Sequence, residues 1–275
     1  MPVNRFWSSI WSVAGYLFGI GLLQFILVQV AILFGLMPAV AAVPVALVVG
    51  LAAPVVGTMY YIDWRWSWKG EHIGLSRAPG AAASKWLLGL AGGAAAALLA
   101  HVVSETLRAG AFTVTPPAFT VPDSPLVLAG VLLPYFVVEL VFRGAAISRL
   151  QADLSQREVL IAAPLIPLLW YLINLLFRAG TLPLGIESNA DVAATLFVAL
   201  LFLRTDSVWL SAGLRMGFVA AIPLLSLRVT DQGGLMVWGL GALVLLVMEL
   251  SKLQRMPKRV TQRGRTIRGP WNGPH

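Results

Sequence analysis

The run from Ile10 to Leu36 contains no charged residue. It exceeds the roughly 20 apolar residues that a helix needs to cross a bilayer. A backbone in lipid must satisfy its own hydrogen bonds, and continuous apolar runs of this length do so as helices. Comparable runs recur along the chain. Only 12% of residues are charged and 58% are hydrophobic, against about 25% charged in an ordinary soluble domain. Mean hydropathy is +0.82. The fold class that follows is all-α, a polytopic membrane helix bundle with about eight transmembrane helices.

Eight spans can be placed. The first is Ile10 to Leu36, too long for a signal-peptide core, so Ala39-Val40-Ala41 is read as part of an uncleaved segment. The second runs from Ala39 to Ile62. Asp63 to Lys85 forms a polar loop opened by Trp64, Trp66 and Trp68, an aromatic interface belt. The third span, Trp86 to Val103, carries His101. Thr106 to Asp123 is an external loop interrupted by Pro116-Pro117. The fourth span covers Leu126 to Ile147, and Arg149 to Glu158 is a charged loop. The fifth covers Val159 to Phe177. The short sixth runs from Val192 to Leu203, the seventh from Val208 to Leu227, and the eighth from Leu235 to Leu250. Residues 1–62 thus form an N-terminal hairpin, 63–250 a transmembrane core, and 251–275 a basic disordered tail on anionic lipid.

The net charge of +8 fits this topology without invoking nucleic acid. With both termini cytoplasmic, the inner segments hold most of the Arg and Lys residues, while the outer loops hold only Arg108, Arg178 and Arg228. The expected location is the cell membrane, with the lipid bilayer as partner and a membrane protein or peptide as a further one. Absence of cysteine excludes disulfides, thiolate metal sites and a Cys nucleophile. His72, His101 and His275 are too scattered to hold a metal, and no cofactor is expected.

The chemistry concentrates at Val138-Glu139-Leu140-Val141-Phe142-Arg143-Gly144. Ionised groups at membrane depth are rare and face a protein interior or an aqueous cavity. Glu139 and Arg143 are four apart, so a helix puts them on one face, where each neutralises the other. Two readings stay open: a buried functional site, or a structural ion pair that fixes packing. Arg215 is a third intramembrane charge. It lies about 13 Å along its helix from Asp206, too far to pair with it, which points to an internal partner. Glu139, about 15 Å from the inner end of its own helix, sits at a similar depth.

This stretch resembles the Glu-Glu-x-x-x-Arg motif of the CPBP intramembrane proteases, which include the type II CAAX prenyl endopeptidases and bacteriocin-processing or Abi proteins. His72-Ile73-Gly74-Leu75-Ser76-Arg77 is similar to the Gly-Leu segment that precedes a membrane span in that family. Trp170-Tyr171-Leu172-Ile173-Asn174 falls where members carry an aromatic-x-x-x-His motif. Thr205-Asp206-Ser207-Val208-Trp209, leading to Arg215, resembles the segment before the last catalytic His. The resemblance covers roughly Asp63 to Val219. It implies a catalytic set at Glu139, Arg143, Asn174 and Arg215, with the last two at the family's His positions.

The departures decide the functional reading. The family's first Glu, which activates water, is Val138 here; both His are replaced, and its Asn position is Val219. Hydrolysis needs a group that takes a proton from water and one that stabilises the oxyanion. Val138 does neither, Asn174 is no base, and Arg215 stays protonated. Glu139 is the one carboxylate left, weakened as a base by its pairing with Arg143. The sequence therefore reads as a CPBP-like protein that has lost catalysis and keeps the fold for binding or as a scaffold. An active protease with an altered site and a small permease subunit are the alternatives; the permease lacks the internal repeats common in transporters. His101 reads as a hydrogen-bonded helix-end residue or a proton relay, Asn174 also as interhelical glue, and Gly89 to Gly93 as a close-packing segment.

Overall fold

The computed structural model describes residues 3–33, 79–112, 116, 118–119, 132, 135–163, 165–166, 169 and 189–255. Every regular element among them is helical: α1 (Val3–Leu33), α2 (Pro79–Ala109), a π-helix (Leu140–Ile147), α3 (Ser148–Asp153), α4 (Gln156–Ala162), α5 (Asn189–Thr205), α6 (Val208–Leu224) and α7 (Asp231–Arg255). Two of them, Pro79–Ala109 and Asp231–Lys252, have the length and apolar composition to cross a membrane. The second span, the Asp63 to Ala78 part of the polar loop, most of the fifth span and the tail beyond Arg255 lie outside the described residues.

Several boundaries differ from those expected, each for a local reason. α2 starts at Pro79, inside the expected loop, because proline suits the first helical turn, where its missing N–H costs nothing. It also runs past Val103 to Ala109, with an Arg108–Glu105 ion pair of 3.0 Å in its last turn. Gly110 then stops it at φ +68°, a conformation that suits glycine. The expected loop from Arg149 to Glu158 shrinks to Leu154-Ser155 between α3 and α4. Arg149 pairs with Asp153 at 3.1 Å across one turn of α3. Ser155 and Glu158 form a reciprocal capping box that starts α4. α5 begins at Asn189 rather than Val192, and Asp231 accepts the Ala190 N–H at 2.9 Å, satisfying an orphan donor of its first turn. The eighth span extends at both ends, so Ser251–Arg255 is helix rather than tail.

The tightest contact joins α2 and α6. Gly89 and Gly93 on α2 meet the backbone of α6 at Leu210 and Leu214, and Gly213 and Gly217 on α6 meet the backbone of α2 at Trp86 and Leu90. A Cβ at any of the four would overlap main-chain atoms of the other helix. Close backbone approach through small residues is how helices associate where no hydrophobic driving force separates protein from lipid. α7 packs on α5 and also reaches α2. Outside, Leu87, Leu88 and Leu99 of α2 and Leu240, Leu243 and Val244 of α7 are exposed, an apolar surface suited to lipid.

The α6–α7 connection is tied to α2. The His101 Nδ1 accepts the Arg228 N–H at 3.1 Å, and the Ser104 hydroxyl oxygen accepts the Thr230 N–H at 2.9 Å. His101 is therefore hydrogen-bonded, but α2 continues beyond it to Ala109, so it does not stand at the helix end expected for it.

Candidate functional site

Tyr135, Glu139 and Arg143 recur every fourth residue leading into and through the π-helix. A π-helix bonds i to i+5, is rare, and occurs frequently at functional sites. At its C-terminal end, the Ser148 hydroxyl donates to the Arg143 carbonyl at 3.3 Å. All eight residues from Leu140 to Ile147 are buried, so the motif lies in the interior. α5 and α6 close over it, supplying Thr195 and Arg215.

Glu139 is fully buried, and Arg143, Thr195 and Arg215 are nearly so. The Glu139 Oε1 lies 3.2 Å from the Arg143 Nη1 and 4.0 Å from the Arg215 Nε. The Arg143 Nη2 donates to the Thr195 carbonyl at 2.5 Å. The Arg215 Nη1 donates to the hydroxyl oxygen of the same threonine at 3.2 Å. The Arg215 guanidinium also sits 5.4 Å from the centre of the Tyr135 ring, within cation–π range. One carboxylate therefore stands between two guanidiniums, and one threonine holds both arginines in place.

Of the four residues singled out by the resemblance, the structure brings Glu139, Arg143 and Arg215 together; Asn174 lies outside the described residues. Val138 and Val219 flank the cluster in sequence and carry no proton-transfer group. Two residues of the site escaped sequence reasoning. Thr195 left a signal, as the one polar residue between Asp191 and Arg204. Tyr135 left only its four-residue offset from Glu139.

Two formal positive charges and one negative leave the cluster with an excess of one. Among the described residues the Glu139 Oε2 has no hydrogen-bond donor, and the Arg143 Nε and Arg215 Nε have no acceptor. Buried charge without partners is costly. The arrangement can hold and orient an anionic or polar group. Its carboxylate is ion-paired with Arg143 at 3.2 Å.

Residues 120–221 match a family model described as type II CAAX prenyl endopeptidase Rce1-like. The matched segment contains Glu139, Arg143, Thr195 and Arg215, and leaves out the His72 to Arg77 stretch. No curated protein matches the chain. The Rce1-like family is membrane-embedded, in keeping with the two helices long and apolar enough to span. Over those residues the chain is similar to the type II CAAX prenyl endopeptidases, in keeping with the resemblance carried by the Glu139 to Arg143 stretch.

Proposed function

We propose that the chain is a multi-pass membrane protein of about eight spans, with both termini cytoplasmic, that keeps the CPBP architecture for binding and not for peptide hydrolysis. The observation that carries this reading is the Glu139 carboxylate set between Arg143 at 3.2 Å and Arg215 at 4.0 Å. A carboxylate so placed is committed to neutralising cations, while Val138 occupies the position at which the family pattern has its water-activating Glu. The partner is a membrane protein or peptide that places a polar group against the arginines.

The test is incubation of the purified protein with prenylated and with membrane-inserted peptides, followed by mass spectrometry. The expected result is intact peptide for both wild type and Glu139→Gln. Cleavage by the wild type that Glu139→Gln abolishes would establish an active protease with an altered site instead.

A further inference from the structure

We propose that the Glu139–Arg143–Arg215 centre binds a carboxylate that carries a neighbouring N–H or O–H donor. The inference rests on the reading of the centre as a binding site and names the chemistry of what it binds. Three observations define that chemistry. The cluster holds one net positive charge, so one negative charge neutralises it. The Arg143 Nε and Arg215 Nε are buried donors without acceptors among the described residues. The Glu139 Oε2 is a buried acceptor without a donor among the same residues.

A carboxylate supplies two oxygens in a plane, matching the fork of a guanidinium. A phosphate monoester brings about −1.5 to −2 charges, which would over-neutralise the centre and repel Glu139. A halide supplies no second acceptor and no donor. The donor next to the carboxylate answers the Glu139 Oε2, as the amide N–H of an N-acylated amino acid does. Arg215 has the most remaining exposure of the three charged residues, at 8%, against 1% for Arg143 and 0% for Glu139. The ligand therefore approaches past Arg215 and the Tyr135 ring. Two sources share this chemistry: a free small acid, and the carboxylate end of a longer chain lying in the membrane.

The test is thermal unfolding of the full-length protein in detergent at pH 7.5, titrated with N-acetylglycine, sodium acetate and N-acetylglycine methylamide, with sodium chloride at matched ionic strength as the reference. A ligand that binds only the folded state raises the melting temperature in a saturable way. N-acetylglycine is expected to saturate at roughly three- to tenfold lower concentration than acetate, the worth of one net hydrogen bond. The uncharged methylamide is expected to give no shift. Arg215→Gln should abolish the shift. Glu139→Gln should strengthen acetate binding by removing the competing negative charge, whereas a merely structural change would weaken binding in both variants. N-octanoylglycine saturating well below N-acetylglycine identifies a chain-borne carboxylate, and equal concentrations identify a free acid; both support the proposal. No carboxylate-specific shift in the wild type, or an unchanged shift in Arg215→Gln, overturns it. If Glu139→Gln does not fold, the wild type and Arg215→Gln decide. The probes are not scored by hydrolysis: cleavage of membrane peptides together with a carboxylate shift would refute the non-hydrolytic reading, and neither cleavage nor shift would refute this inference alone.

Discussion

Along α6, Gly213 and Gly217 meet the α2 backbone, whereas Arg215, between them in sequence, turns toward Glu139 and Thr195. The first interface is apolar, and its small residues let two backbones touch. The second is buried and charged, and among the described residues it keeps donors and an acceptor unmatched. A helix held rigidly on one side can present a costly polar group on the other, because the α2–α6 packing fixes the position of Arg215 without help from its ion pair. The glycine interface fixes the position of the helix, and the unmatched chemistry resides in the charge cluster. That division is what a binding site built on a stable scaffold requires.

The comparison breaks most visibly at Glu139. Glu139→Ala leaves two buried guanidiniums without their carboxylate and should destabilise the fold by about 3–5 kcal/mol, measured by chemical unfolding in detergent. If the charges merely face solvent-filled space, the loss will be far smaller. On the glycine side, Gly213→Ala forces a methyl onto the Trp86 carbonyl oxygen and should cost about 1–3 kcal/mol. Adding Gly89→Ala, which faces Gly213 across the interface, should bring no relief, because both methyls meet backbone.

Smaller effects belong to groups away from both interfaces. Ser104→Ala removes the acceptor of the Thr230 N–H and should cost about 1 kcal/mol. Glu158 is held below its ordinary carboxylate range by hydrogen bonds from the Ser155 hydroxyl and backbone N–H. A depressed carboxylate stabilises the fold above its unfolded value, 4.5, and that stabilisation is lost as pH falls through the lower folded value. Glu158→Gln should therefore be less stable than wild type at pH 7 by at most about 1 kcal/mol. The gap should close as pH falls below 4.5. A gap independent of pH would mean that the carboxylate charge contributes nothing to the cap.

How much of this was legible in the sequence depends on the signal each part leaves. The helical class followed from uncharged runs. Glu139 and Arg143 stood out because ionised groups are conspicuous among apolar residues, and four-residue spacing placed them on one face. The internal partner of Arg215 was inferred from its distance to Asp206, and the structure supplies Glu139, Thr195 and Tyr135. The π-helix was not legible, since Leu140 to Ile147 reads equally as α-helix. Gly89 to Gly93 reads as a packing segment, whereas its counterpart Gly213-x-x-x-Gly217 brackets Arg215, the stronger signal on that helix, and a lone pair of glycines in an apolar run does not say which helix they meet. Helix ends were misplaced where a cap or an ion pair carried the helix into polar sequence, as at Pro79, Arg108 and Arg149.

The measurement that tests the charge cluster most directly is a double-mutant cycle between Glu139 and Arg215, using Glu139→Met, Arg215→Met and the double variant, followed by reversible unfolding in detergent. Glu139→Met strands both guanidiniums, Arg215→Met leaves the Glu139–Arg143 pair at 3.2 Å, and the double change leaves Arg143 as the one charge of the three. The expected result is a coupling of about 1.5 kcal/mol or more, with the double variant less destabilised than the sum of the singles. Additivity within about 0.5 kcal/mol would contradict it, and would mean that the 4.0 Å approach of Arg215 to Glu139 carries no energetic weight.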